Sequence, residues 1–217
     1  MFNHTHPYAP FNLENSSKWI VGTLPPPRFT TGDLKAGDVD FCYGSIDGQL
    51  WPILDKIFDL NLDFKTTERA IEQRKEFLIS RELGICDIVA SAQRHKIDAS
   101  DIGMQDVQLR DIFSYLTTYR KVSTLLFTGG NSKIGPEYFF RKAAKKKNIA
   151  LVPESTEVPR TYKFSWQGRE ITTVSLTAPS GAANRAVGSL ALYKKLKDED
   201  PDFTTIDFRI LQYKPYF

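Results

Sequence analysis

Short apolar runs that end at glycine or proline mark the strands of this chain. Trp19-Ile20-Val21 is such a run and stops at Gly22, and the run 124–128 stops at Gly129-Gly130. Runs of this kind are typical of strands that are buried on both faces of a sheet. Weaker patterns predict further strands at 149–152, 161–166, 170–176 and, near the end of the chain, 206–213.

Apolar residues spaced three and four apart mark the helices. One such pattern begins at Trp51-Pro52, where a proline is tolerated in the first turn. The same spacing predicts helices over 67–83, 87–95, 109–116, 136–147 and 184–197. Residues 1–17 are polar and rich in turns, and we expect them to form an N-terminal arm in which His4 and His6 are flexible.

The alternation of strand, loop and helix predicts an α/β fold. We expect a three-layer α/β/α sandwich around a mainly parallel sheet of roughly four strands. A chain of 217 residues, of which 41% are hydrophobic, suffices for one core, so we expect a single domain over residues 1–217. Ligands of parallel sheets bind at the carboxyl ends of the strands. The loops at 22–27, 129–133 and 178–185 are therefore candidate binding loops.

Charge and composition narrow the function classes. The net charge of +3 and the pI near 8.7 are compatible with a nucleic-acid partner without requiring one. Two cysteines cannot form a disulfide framework or a four-thiolate site, and the three histidines lack a third ligand at suitable spacing, so we expect no metal and no cofactor. The N-terminus has no apolar h-region, and no run approaches 18 apolar residues. We expect a cytoplasmic protein with no membrane contact.

Five motifs follow one another in order along the chain. They are Gly22-Thr23-Leu24-Pro25-Pro26, Tyr43 eight residues before Trp51-Pro52, the segments 83–91 and 97–102, the strand and loop 126–131, and Ala178-Pro179-Ser180-Gly181-Ala182-Ala183-Asn184. In order and spacing they resemble the uracil-DNA glycosylase superfamily, in particular its mismatch-specific, single-strand-selective and hypoxanthine-directed branches. The segments 83–91 and 97–102 are similar to the helical insert of the hypoxanthine-directed branch. The resemblance covers roughly residues 18–213.

The resemblance implies a monofunctional DNA glycosylase that removes a flipped-out base during base-excision repair. Uracil or hypoxanthine, in single- or double-stranded DNA, is the expected substrate, and we expect a monomer. Two alternatives stay open. One is a relative that binds nucleic acid or a modified base without excising it, and the other is an enzyme that acts on nucleosides or nucleotides.

The first two motifs and the loop after 126 offer a pocket for the base. Unstacking a base costs on the order of a few kcal/mol, and stacking on an aromatic ring offsets roughly 1–3 kcal/mol of this. Tyr43 is the candidate platform, although it could equally be a core residue of a short strand. The stiff loop 22–27 can bring N–H donors to a leaving base, or it is an ordinary turn. The predicted base-binding residues are Gly22, Thr23, Leu24, Pro25, Tyr43 and Asn131, the last of which could instead cap a helix.

The last motif offers a DNA contact. Ser180-Gly181 is a small turn that can contact phosphates or fill the gap left by an extruded nucleotide, and a helix that starts at Asn184 would present N–H groups to a phosphate. The predicted DNA-binding residues are Pro179, Ser180, Gly181, Asn184 and Arg185. Further phosphate candidates are Arg28, Lys133 and Arg160, whereas the basic run 141–147 should point away from the ligand.

The chain departs from the family at the catalytic position. The loop 22–27 holds no Asp, Glu or Asn, where several branches place the catalytic residue, and Gly48 stands where the hypoxanthine-directed branch has an Asn. We predict that the catalytic position is Asp47 with Gly48, and that the Asp47 carboxylate directs water, although a solvated turn Asp is an equal alternative. Asp38 and Asp40 are the reserves. The histidine that some branches place before Pro-Ser is Ala178 here.

Overall fold

A six-stranded sheet lies at the centre of the computed structural model, which describes residues 1–97, 103–130 and 132–217. The strands are β1 Phe2–Thr5, β2 Lys18–Val21, β3 Leu83–Ile85, β4 Val89–Arg94, β5 Gln105–Leu109, β6 Thr124–Phe127, β7 Val152–Ser155, β8 Arg160–Trp166 and β9 Arg169–Ser175. The helices are α1 Arg28–Thr31, α2 Leu50–Phe58, α3 Glu68–Ser80, α4 Ile112–Thr118, α5 Pro136–Lys146, α6 Asn184–Gly188, α7 Ala191–Glu199 and α8 Thr205–Tyr213.

The central sheet is mainly parallel, as predicted. Its order is β3-β2-β6-β9-β8-β7, and the first four of these strands run parallel. The hairpin of β7 and β8 extends the sheet in the antiparallel sense, so the sheet has six strands where roughly four are predicted. Strands β8 and β9 match the patterns at 161–166 and 170–176, whereas β7 begins at the last residue of the predicted strand 149–152.

Alternate residues of the central strands enter two separate cores. Trp19 and Val21 of β2 pack on one face of the sheet with residues of α4 and α5, whereas Ile20 packs on the other face with residues of α2, α3 and α8. Because successive side chains of a strand point to opposite faces, an apolar run with both sides buried requires helices on both faces. The fold is therefore the predicted α/β arrangement of a sheet between two helical layers.

A small second sheet corrects the prediction for the N-terminus. Its order is β1-β4-β5, with antiparallel pairing throughout. Phe2–Thr5 pairs in register with β4, so His4 is fully buried and His6 nearly so, and neither lies in a flexible arm. The predicted helix 87–95 is wrong, because Val89–Arg94 is the central strand of this sheet. The helical insert is likewise wrong over 83–91, where β3 and the first residues of β4 lie, and residues 98–102 of its second segment lie outside the described chain.

The C-terminal predictions also need correction. The predicted strand 206–213 is helix α8, because Thr204 and Asp207 form a capping box that starts a helix. Its apolar run is short, and a short run cannot by itself separate strand from helix. The predicted helix 184–197 is divided into α6 and α7 at 189–190. The predicted helix 67–83 ends as α3 at Ser80, and Leu83 already belongs to β3.

Candidate functional site

A cleft of about 750 Å³ opens at the carboxyl ends of the parallel strands. Residues 23–26 follow β2, Asp87 follows β3, Thr128 follows β6 and residues 178–183 follow β9, and all of them line the cleft. Residues 42–45 and 47–50 complete the wall. The ends of parallel strands meet at one edge of a sheet, which is where α/β proteins bind ligands.

Most of the sequence-predicted site residues meet at this cleft. Those that line it are Thr23, Leu24, Pro25, Tyr43, Asp47, Gly48, Pro179, Ser180 and Gly181. Gly22 lies directly behind the lining, where its N–H bonds to Asp87. Asn184 and Arg185 belong to α6 and are not among the lining residues. Asn131 lies outside the described residues. The roles predicted for all these residues stay predictions.

Two of the predicted loops form one continuous wall. Gly48 and Ser180 make an isolated antiparallel bridge, and the backbone N–H of Gln49 donates to the carbonyl of Pro179 at 2.9 Å. The loop predicted to hold the catalytic residue is thus fixed to the loop predicted to bind DNA. A shift of either loop would move the other.

The buried side chain of Arg209 holds this wall in place. Its Nε donates to the carbonyl of Ala178 at 2.9 Å, and its Nη2 donates to that of Ser180 at 3.1 Å. Its Nη1 donates to the side-chain oxygens of Gln49 at 2.9 Å and Asn184 at 2.8 Å. Burial lowers the pKa of Arg209 from its usual value. Arg209 lies on α8, so the prediction of a terminal strand conceals this role.

The floor of the cleft is organised by Asp87. Its Oδ1 accepts the backbone N–H of Gly22 at 2.7 Å and the hydroxyl of Tyr43 at 2.8 Å, and its Oδ2 lies 2.9 Å from Nε2 of His6. The side chain of Asp87 is only 7% exposed. Sequence reasoning missed Asp87 because the segment 83–91 is interpreted as helical. The signal available in the sequence is an acidic residue directly after the apolar run of β3.

The second residue that sequence reasoning missed is His6. Its Nδ1 accepts the backbone N–H of Tyr8 at 3.1 Å, so Nε2 carries the proton that is donated to Asp87. Both ring nitrogens are therefore occupied. His6 positions the Asp87 carboxylate, and neither of its nitrogens is free for a ligand.

Tyr43 is held in a strained backbone conformation over this floor. Its φ is 59°, in the left-handed region that is costly for a bulky residue. Its hydroxyl lies 2.8 Å from Asp87 and 3.1 Å from Thr128 Oγ1. Burial, and then the charge of Asp87, raise the pKa of Tyr43 well above its usual value, so the hydroxyl stays protonated and donates to Asp87. These contacts fix the ring at the cleft.

Asp47 and Asp38, two of the carboxylates predicted from the sequence, lie in environments that differ from that of Asp87. Asp47 stands at the rim with its side chain 67% exposed, and its Oδ2 lies 3.4 Å from Arg28 Nη2 and 3.2 Å from Lys35 Nζ. Asp38 is fully buried and receives two hydrogen bonds from Arg28. Burial opposes ionisation of Asp38, but the hydrogen bonds from Arg28 and from the backbone of Ile46 and Lys35 lower its pKa to about 2. Asp38 therefore shapes the loop.

Other predicted features have simple structural surroundings. Asp40 is exposed and accepts the hydroxyl of Tyr8 at 2.6 Å. Arg160 pairs with the buried Glu137 at 3.1 Å.

Within the described ranges, no group of three or more His, Cys, Asp and Glu side chains could hold a metal ion. In those same ranges, no helix combines the length and the apolar composition needed to cross a membrane.

Comparison with solved structures gives a match to the whole fold. A protein described as a "putative Uracil DNA glycosylase" from Methanosarcina acetivorans, solved by NMR, superposes with a TM-score of 0.53 at 13% sequence identity. The match covers 96% of this chain and 99% of that chain. No protein-family model matches the chain, and no curated protein matches it. At this identity the likeness shows a shared fold.

Proposed function

We propose that the chain is a DNA glycosylase that hydrolyses the N-glycosidic bond of a flipped-out base. One observation carries the proposal. The stiff loop after β2, the aromatic ring of Tyr43 and the loop at Ser180 surround a single cleft at the carboxyl edge of the sheet. The fold shared with the Methanosarcina acetivorans protein supports the same proposal.

The cleft suits a single planar base. Its volume of about 750 Å³ is within the usual range for small-ligand sites, and most of its wall is apolar or backbone. Stacking on Tyr43 would supply roughly 1–3 kcal/mol toward the cost of extrusion. In this loop Leu24 would offer its backbone N–H to a base that leaves with negative charge, whereas Pro25 has no N–H to donate.

DNA would approach across the wall that contains Ser180. Gly181 and Ala182 are exposed at the rim and Pro179 is buried beneath them. The exposed part of this loop therefore has only small side chains, and a buried proline supports it. Ser180 and Gly181 would contact the strand that carries the extruded nucleotide, and the buried Pro179 would support them. Asn184 and Arg185 would reach the flanking phosphates from α6.

The proposed chemistry is addition of water to the sugar carbon as the bond to the base breaks. In such a reaction a carboxylate stabilises the cationic sugar or orients the water. Asp47, beside Gly48, is the carboxylate proposed from the sequence, and it lies on the cleft rim. A deaminated base, uracil or hypoxanthine, is the proposed substrate.

Base release from defined oligonucleotides tests the proposal. Single- and double-stranded DNA carrying uracil, hypoxanthine or xanthine would be incubated with the protein and then cleaved with alkali at abasic sites. We expect strand cleavage only with a modified base, and loss of cleavage in Tyr43→Ala. Unmodified DNA of the same sequence is the control. Absence of cleavage with every substrate would contradict the proposal.

One observation favours a second candidate. The loop 22–27 lacks an acidic or amide residue, and Asp47 is solvated and paired with two cations. A protein with the same cleft could then bind an altered base without excising it. Lesion-specific binding in a gel-shift assay, with no base released over long incubation, would identify this function.

A further inference from the structure

Resting on the proposed glycosylase function, we infer that Asp87, positioned by His6, is the carboxylate that faces the reacting sugar. It would take the place of the acidic or amide residue that the loop 22–27 lacks.

Asp87 places a negative charge next to the loop 22–27, although Asp87 itself follows the neighbouring strand β3. It follows β3 by two residues, and β3 runs parallel to β2. Its Oδ1 is 2.7 Å from the nitrogen of Gly22, the residue that follows β2 and opens the loop 22–27. A carboxylate therefore stands at the mouth of that loop although no acidic residue is part of it.

One acceptor position of Asp87 is left for a ligand. A carboxylate has about four lone-pair positions. Gly22 and Tyr43 use two of them at Oδ1, and His6 uses one at Oδ2. Among the described residues, no fourth donor reaches the carboxylate within hydrogen-bond distance, and Asp87 lines the cleft. The second position on Oδ2 can accept a water or stand against a positive sugar.

Among the described residues, no lysine or arginine neutralises the charge of Asp87. No lysine or arginine nitrogen of the described residues lies within 4.0 Å of it, and its one ion-pair contact is to His6, whose Nδ1 accepts a backbone N–H. Asp47 differs from Asp87 both in exposure and in pairing, because its side chain is mostly solvated and has two cationic partners. A buried, unneutralised carboxylate acts on a developing positive charge more strongly than a solvated one.

The reaction balances with this assignment. The bond between the sugar carbon and the base nitrogen breaks, and both electrons leave with the base. The sugar becomes an oxocarbenium ion that the Asp87 carboxylate stabilises, and a water in the cleft adds its oxygen to the sugar carbon. The proton of that water passes to solvent and the base takes up a proton, which gives the free base and an abasic hemiacetal.

Two measurements test the inference independently. The first is single-turnover base release by wild type, Asp87→Asn, Asp47→Asn and the exposed-surface control Asp198→Asn. The second compares affinity for oligonucleotides that carry a cationic pyrrolidine or a neutral tetrahydrofuran in place of the reacting sugar. We expect wild type to bind pyrrolidine at least tenfold more tightly than tetrahydrofuran. In Asp87→Asn the preference should vanish and base release should fall at least a hundredfold. Asp47→Asn should keep the preference for pyrrolidine, and the exposed Asp198→Asn should match wild type in both measurements.

A second variant protects the test against misfolding. In Asp87→Asn the new amide can place its donor against the donor of His6. The double change His6→Gln with Asp87→Asn supplies an acceptor for that amide and removes only the charge. We expect the double variant to melt within a few degrees of wild type and still to lose the preference for the cation.

The outcomes separate this inference from the proposed function. Base release that persists within threefold in both charge-removing variants would overturn the role of Asp87 and leave the glycosylase proposal standing. A wild-type protein that releases no base but prefers pyrrolidine through Asp87 would overturn the glycosylase proposal and support the placement of the carboxylate. Equal wild-type affinity for the two sugar analogues would overturn the inference.

Discussion

Gly22 and Tyr43 lie so close that a β-carbon on Gly22 would fall 2.2 Å from the hydroxyl oxygen of Tyr43. The same β-carbon would lie 2.8 Å from Asp87 Oδ1 and 3.1 Å from Thr128 Oγ1. Three polar side chains thus converge on a position that has room for hydrogen alone. Tyr43, Asp87 and Thr128 can form the floor of the cleft only because Gly22 has no side chain.

Gly22→Ala should therefore displace Tyr43 and disorder the floor. We expect a loss of roughly 1–3 kcal/mol of unfolding free energy, which is the usual cost of an overpacked site. Lesion binding should weaken together with it. Urea unfolding and gel shifts check both effects, with Gly188→Ala as the control because a β-carbon there meets nothing within 4 Å. Unchanged stability and binding in Gly22→Ala would show that the floor can rearrange.

The ring and the hydroxyl of Tyr43 should have separable effects. Tyr43→Phe keeps the stacking surface but removes one donor to Asp87, and we expect a loss of roughly 1–2 kcal/mol of stability with lesion binding retained. Tyr43→Ala removes the ring, and lesion-specific affinity should fall by roughly 5- to 150-fold, corresponding to about 1–3 kcal/mol of stacking. Fluorescence titration of lesion and control oligonucleotides measures the difference. Equal affinities of the two variants would argue against stacking.

Arg209→Met should loosen the wall of the cleft. Methionine fills similar space but leaves the carbonyls of Ala178 and Ser180 without their buried donor. We expect a loss of at least about 3 kcal/mol of unfolding free energy, since each unsatisfied buried group costs roughly 1–3 kcal/mol. Arg69→Met, at a side chain that is 80% exposed, is the matched control. A gain in stability would mean that the cost of burying the guanidinium dominates.

His4 should make the stability of the fold sensitive to acid. Burial, followed by the charges of Arg94 and His6, lowers the pKa of His4 from 6.5 to about 4. The native state therefore favours the neutral ring, and its contribution is complete above pH 6.5 and is lost as the pH falls toward 4. His4→Gln keeps an acceptor for Arg94 Nε, which donates to His4 Nδ1 at 2.8 Å, but does not titrate.

Unfolding free energies of wild type and His4→Gln at several pH values provide the measurement. Between pH 6.5 and 4 the wild type should lose stability relative to the variant, by on the order of 3 kcal/mol at the acid end. Titration of other groups cancels in the comparison. Parallel pH curves for the two proteins would contradict a depressed pKa at His4.

The central sheet is predictable from the sequence for a simple reason. Trp19 and Val21 enter one core and Ile20 enters the other, so β2 has to be apolar from Trp19 to Val21, and the same holds for Leu125, Leu126 and Phe127 of β6. Such runs, followed by glycines, predict both the strands and the edge at which the loops gather. Tyr43, Pro25 and Ser180 meet at one cleft for this reason.

The other elements depend on partners that a local pattern does not reveal. Val89–Arg94 becomes a strand because β1 and β5 pair with its two edges, and one of these lies more than eighty residues away in the sequence. The apolar spacing of α8 is too short to exclude a strand, and its capping box decides the outcome. Asp87 and His6 become recognisable as site residues only when those strands are in place.

The floor of the cleft joins parts of the chain that are distant in sequence. His6 and Asp87 are 81 residues apart, and Tyr43 and Thr128 are 85 apart. A local opening that frees the amide of Gly22 must break contacts to several of these segments together. Hydrogen exchange at that amide should consequently be as slow as global unfolding allows, so that it reports on the cooperative stability of the entire molecule.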